Sequence, residues 1–198
     1  MKRTVTNAAR REQIVQAAIE TIAELGYAKA SFARITERAG LSSPRMISYH
    51  FADKNDLLRD IARAVFGAGA RAITDRMRAE QTVAGKLRAY LEANLLFLRE
   101  HPQQIAALTE IGPHLRTDTG AGYTAETAQE PSVQGLESLL LDGQRSGEFR
   151  DFDARSLAVL IRGAIDAAAQ RLGGATSFDF DTYTRELVTA VSLATQRR

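Results

Sequence analysis

The 198 residues of this chain include no cysteine and no tryptophan. The lack of cysteine alone excludes disulfides, thiolate metal sites and cysteine nucleophiles. Aromatic residues reach only 7%, and runs of Val, Ile and Thr alternating at period two, the mark of half-buried strands, are missing. No apolar run approaches the roughly 20 residues of a membrane span. The basic start, MKRTVTNAARREQ, has no apolar core behind it and does not read as a secretory signal. Glycine-rich phosphate loops, nucleophile elbows and paired-carboxylate motifs are also missing. The three histidines, at 50, 101 and 114, are too scattered for a metal site. The expectation is a protein of the cytoplasm that is not an enzyme and holds no metal or cofactor.

What is present favours helices. The chain is 44% apolar and 25% charged, and rich in Ala, Leu, Arg and Glu, which lose little entropy in a helix. Net charge is only +2, but residues 1–50 carry eight Lys/Arg against four Asp/Glu, a local +4. A basic N-terminal part on a nearly neutral body points to phosphate contact there.

Apolar spacing at three and four divides the chain into about nine helices, an all-α fold. The first places Ile14, Ala17, Ala18, Ile22 and Leu25 on one face and stops at Gly26. A short second follows Ser31, with Phe32, Ile35 and Ala39 inward, and ends at Gly40. Ser43-Pro44 reads as an N-cap with proline at N1, opening a third short helix to about His50. Asp53 starts a long fourth helix, interrupted by Gly67 and Gly69, which suit close packing. A fifth runs from Val83 to Glu100 and a sixth from His101-Pro102 to Pro113. After a polar loop over 115–130 come a seventh from Pro131 to Ser146, an eighth capped by Asp153, and a ninth after Asp181.

Two short helices around a glycine turn, between a supporting helix and a long one, describe a helix-turn-helix. The segment SFARITERAGLSSPRMISYHFADKNDLL, from Ser31 to Leu58, resembles the signature of the TetR family of transcriptional regulators. The matching features are Ser31, Ile35, Ala39-Gly40, Ser42, Tyr49-His50-Phe51, Lys54 and Leu57-Leu58. The likeness covers about residues 10–60. One departure stands out: SSPRMIS carries one residue more than usual between the turn glycine and the aromatic-His-Phe triplet. Pro44 stands where glycine is common, and Ser48 where many members carry tyrosine.

The resemblance implies residues 1–52 as a DNA-binding domain and residues 53–198 as a helical domain for ligand binding and dimerisation. Ser31, Ser42, Ser43, Pro44, Arg45, Met46, Ser48, Tyr49 and His50 are the expected DNA contacts. Arg45 is suited to a guanine edge or a phosphate, and Lys54 by family analogy clamps the DNA backbone. Lys2, Arg3, Arg10 and Arg11 form either a DNA-reaching arm or a solvated terminus. Phe51 and Leu57 are expected in the core. The homodimer is expected through Leu157, Ile161, Ala164, Ala168, Leu187 and Val191 of the last two helices. Ligand candidates are the polar or aromatic residues near apolar helix faces: Tyr90, Asn94, Phe97, His101, Tyr123, Arg162 and Asp166. His114 is a further polar residue near those faces. The implied function is a repressor released from a palindromic operator on double-stranded DNA by a small apolar or aromatic effector. The alternative is the same fold organising DNA or binding a partner without an effector.

Overall fold

The computed structural model describes residues 7–116, 122, 125–172 and 178–197. Among them it is all helical: α1 (Asn7–Leu25), α2 (Phe32–Arg38), α3 (Arg45–His50), α4 (Lys54–Arg78), α5 (Val83–Glu100), α6 (Pro102–Ile111), α7 (Ala125–Arg145), α8 (Ala154–Arg171) and α9 (Phe180–Thr195). Single 3₁₀ turns follow α1 at Tyr27–Lys29 and α6 at Gly112–His114. No helix among the described residues is long and apolar enough to cross a membrane.

The chain divides into two compact units. One unit holds residues 1–67 with 102–123; the other holds 68–101 with 124–198. The fourth helix is therefore shared, and α6 returns to the N-terminal unit, where it packs along α1.

The N-terminal unit is built on α1. Ile14, Ala18 and Ile22 are buried, as are Ile35 of α2, Ile47 of α3, Phe51 at the end of α3, and Leu57, Leu58 and Ile61 of α4. Arg11 is engaged within this unit. Its Nε and Nη2 donate to Asp60 Oδ2 of α4 at 3.1 and 2.7 Å, and Nη1 donates to the carbonyl of His50. Its guanidinium carbon lies 4.2 Å from the centre of the Phe51 ring. Lys2 and Arg3 lie outside the described residues.

The second unit gathers α5, α7, α8 and α9, with Leu87, Leu91, Leu95, Leu136, Leu140, Ala158, Ile161, Ile165 and Ala168 inside. The starts of α5, α8 and α9 are closed by side chains. Thr82 accepts from Gly85 N–H, Asp153 from Ser156 N–H, and Asp179 from Thr182 N–H. Glu148 adds a carboxylate on α5, accepting from Val83 and Ala84 N–H at 3.0 Å each. Those two donors hold its pKa below the usual carboxylate value. A Cβ at Gly69 of α4 would stand 3.4 Å from the Phe97 ring, an ordinary contact that does not require glycine.

Three expectations are corrected. The seventh helix starts at Ala125 and takes Pro131 into its interior. Proline removes one ladder hydrogen bond, but Ala125, Glu126, Ala128, Gln129 and Glu130 before it are strong helix formers, so the 115–130 loop is shorter than its composition suggested. The ninth helix is capped by Asp179, not Asp181. Finally, Ile161 (2% exposed), Ala168 and Val191 are consumed by the chain's own core, and Leu157, Ala164 and Leu187 are half-buried. An apolar stripe reports that a face is buried, not by which molecule. The large apolar side chains that α8 and α9 leave outside are Val159, Leu160 and Leu193.

Gly143 of α7 offers a direct check on this packing. A Cβ added there would overlap the buried Phe149 ring, whose backbone N–H is tied to the Gly143 carbonyl at 3.0 Å. Gly143→Ala is expected to destabilise the protein by roughly 1–3 kcal/mol through overpacking, despite the better helix propensity of alanine. Chemical denaturation reads it; an unchanged midpoint contradicts the packing described.

Candidate nucleic-acid interface

Ser31 opens α2 by accepting from Arg34 N–H at 3.3 Å. The helix closes with Gly40 at φ +62°, a left-handed conformation that residues with a Cβ rarely adopt. Leu41 N–H then bonds the Thr36 carbonyl at 3.0 Å and Gly40 N–H the Glu37 carbonyl at 3.0 Å. This Schellman pair satisfies the helix's last carbonyls. Gln13 of α1 fixes the same turn, donating to the Ala39 carbonyl at 2.6 Å.

Ser43 Oγ accepts from Arg45 N–H at 3.2 Å, but the residue at the cap position of α3 is Pro44, one place later than the expected Ser43, and it is already in helical conformation. Ser42 Oγ meets Met46 Sδ at 3.4 Å. Ile47, with no exposed surface, is the single residue α3 buries. Ser42, Pro44, Arg45, Ser48 and Tyr49 are exposed, while Ser43, Met46 and His50 are half-buried. Tyr49 stands 80% exposed, an unusual position for a ring of that size. Arg45 makes no ion pair among the described residues. A cation, hydroxyls and an aromatic ring thus share one outward surface fixed on a rigid support, the set that reads base edges and phosphates.

The remaining expected contacts are partly engaged within the chain. His50 Nδ1 lies 2.8 Å from Asn7 Oδ1, and its ring meets Tyr49 edge-on at 5.1 Å. Lys54 Nζ sits 3.9 Å from the centre of the Tyr27 ring. Sequence reasoning misses Asn7 and Tyr27, since they lie outside the motif and nothing in their local sequence marks them.

Burial, then the charges of Arg11 and Arg10, push the His50 pKa below the ordinary histidine value. Between the lowered and the ordinary value the unfolded chain binds a proton that the folded chain rejects, so folding stability falls as pH drops through that window. An NMR titration should place the His50 midpoint below those of unfolded-state histidines. A midpoint at or above them contradicts the geometry.

In the second unit the structure brings together four of the predicted ligand residues. Arg162 Nη2 pairs with Asp166 Oδ1 at 2.6 Å, its Nη1 reaches Asn94 Oδ1 at 3.4 Å, and Asn94 Nδ2 donates to the Tyr90 carbonyl at 2.8 Å. Burial raises the Tyr90 pKa, against the opposing pull of Arg162. Arg162 Nε and Asp166 Oδ2 are buried with no hydrogen-bond partner among the described residues. Phe97 and His101 instead stack on each other at 4.2 Å, with His101 Nδ1 3.0 Å from the Phe97 carbonyl. Tyr123 lies outside the described residues. An open groove of about 530 Å³ runs elsewhere, between α5 and α9, lined among others by Arg88, Glu92, Arg185, Val188 and Leu193. None of the seven predicted ligand residues lines it.

Residues 14–61 match the family of bacterial regulatory proteins, tetR family. The HTH-type transcriptional regulator BetI of Pseudomonas paraeruginosa is 36% identical over 182 residues, covering 87% of this chain and 85% of that one. Among solved structures, the fatty acid degradation regulator FadR from Bacillus halodurans superposes with a TM-score of 0.78 at 21% identity, covering 92% and 94% of the two chains. A putative transcriptional regulator from Saccharomonospora viridis in complex with choline gives 0.76 at 23%, covering 96% and 100%.

Proposed function

Since the chain belongs to the tetR family of bacterial regulatory proteins and is a helix-turn-helix transcriptional regulator, we propose that it is a repressor that α3 seats on a palindromic operator and a small molecule releases. In this reading residues 1–52, together with Lys54 at the start of α4, read DNA, and the rest of 53–198 dimerises and binds the effector. The observation that carries it is the outward surface of α3, where Arg45 and Tyr49 project unburied from a helix whose only buried side chain is Ile47.

Arg45 reads a base or a phosphate, Ser42, Ser48 and Tyr49 supply neighbouring contacts, and Lys54 takes the DNA backbone. Two such helices, related by a twofold axis, meet half-sites about one helical turn or a multiple of one apart. The dimer face is the surface that α8 and α9 leave outside, centred on Leu160, Val159 and Leu193. A large side chain such as Leu160, 69% exposed, gains by being covered. The effector has an apolar or aromatic body and a polar head that meets Arg162 and Asp166, whose unpartnered Nε–H and Oδ2 want an acceptor and a donor. The choline held by the Saccharomonospora viridis protein supports an effector of small size.

Operator sites selected from random duplexes should show twofold-related half-sites. Arg45→Ala is expected to cost about 1–3 kcal/mol of operator binding if it reads a base, measured by fluorescence anisotropy. Full-strength binding by an Arg45→Ala/Tyr49→Ala double variant defeats this role for α3. Footprinting separates a repressor, with a few sharp sites, from a DNA organiser with many dispersed ones.

The dimer face is checked by sedimentation. Leu160→Lys leaves the buried core of the protomer untouched, so it should keep the fold intact and weaken self-association. Wild-type protein that sediments as a monomer at micromolar concentration removes the twofold operator.

A further inference from the structure

We infer that Tyr27 is a positioning residue for DNA binding, holding the Lys54 ammonium where it meets the phosphate backbone, and that His114 braces Tyr27 from behind. The inference rests on the reading that Lys54 contacts a phosphate. The Lys54 Nζ and the imidazole of His114 each lie 3.9 Å from the same Tyr27 ring centre, the imidazole tilted by only 17°. Two groups cannot share one spot above a ring, so they occupy opposite faces and Tyr27 is sandwiched.

A lysine side chain left to itself sweeps many rotamers around a strongly hydrated charge. A tyrosine face under the ammonium attracts it electrostatically and fixes its place, while N–H groups turned away from the ring remain free to donate to an anion. The ring is fixed in turn. Tyr27 N–H donates to Glu110 Oε2 at 3.0 Å, just after Gly26 at φ +77°. Asn55, next to Lys54, exchanges two hydrogen bonds with the backbone of Arg116, at 3.2 and 3.1 Å. Residues 26–27, 54–55 and 110–116 thus close on one another within the N-terminal unit. Asp56 and Glu110, carboxylates of these same segments, accept from the Ala52 and Tyr27 N–H groups, and the ammonium rests on the ring. The position of a phosphate-binding cation is therefore set by the stretch after α6, which no helix-turn-helix motif includes.

Anisotropy of a labelled operator duplex and an unrelated duplex, each titrated over a range of salt, tests this. Lys54→Ala should weaken both duplexes by the same factor and make the salt dependence shallower, by about 0.9 in log–log slope for each phosphate no longer neutralised. Tyr27→Leu should reproduce most of both effects, Tyr27→Phe should restore wild-type behaviour, and Tyr27→Leu should add nothing in the Lys54→Ala background. Additive losses, or a wild-type salt slope in folded Tyr27→Leu, overturn the positioning role while leaving Lys54 on the phosphate. A Lys54→Ala protein with unaltered binding instead overturns the phosphate reading, and the positioning role with it. If Tyr27→Leu fails to fold, the wild-type protein decides by NMR. The Lys54 ε-methylene protons should be shifted upfield by the Tyr27 ring and stay so on the operator; an upfield shift that vanishes on DNA binding means that the lysine leaves the ring, and overturns the inference.

Discussion

Arg11 reaches from the first turns of α1 to a carboxylate of α4, to the last carbonyl of α3 and to the face of Phe51. A six-residue helix is too short to hold its own conformation, and its final carbonyls have no partner within it. The guanidinium gives the His50 carbonyl a charged donor and the Phe51 face a flat cation, while Asp60 holds the guanidinium in place. Gln13, just past Arg11 on α1, does the same for the turn before α3 through the Ala39 carbonyl. Both ends of α3 are thereby referred to α1, and its orientation does not rest on its own sequence.

The helix-turn-helix was legible because its boundaries are chemical. Glycines at 26 and 40 carry positive φ, and Ser31, Ser43 and Asp53 accept the backbone donors that follow them. Each signal is local, so a single sequence contains it. The roles of Arg11 and Tyr27 are not legible, because they consist of partners 27 to 87 positions away, such as Lys54, His50, Asp60 and His114. Neighbouring residues say nothing about such pairings.

The second unit shows the same division. Apolar spacing alone places the fifth helix, spacing with the Asp153 cap places the eighth, and Arg162 with Asp166 is visible as an i,i+4 pair. That Asn94 and Tyr90 come to join that pair is a tertiary fact. The orientation of α8 and α9 misled because Ile161, Ala168 and Val191 make the same pattern whether they face the home core or a second protomer. Pro131 misleads for a different reason: a breaker that reads as a boundary is overruled by the helix formers that precede it.

The single anchor of α3 has an evolutionary consequence. Ile47 alone commits the helix to the core, while positions 45, 48 and 49 face outward. Substitutions there leave the folded state nearly untouched, so the binding preference of this chain and its stability vary almost independently. A lineage can drift through new recognition sequences without first acquiring compensating mutations in the scaffold.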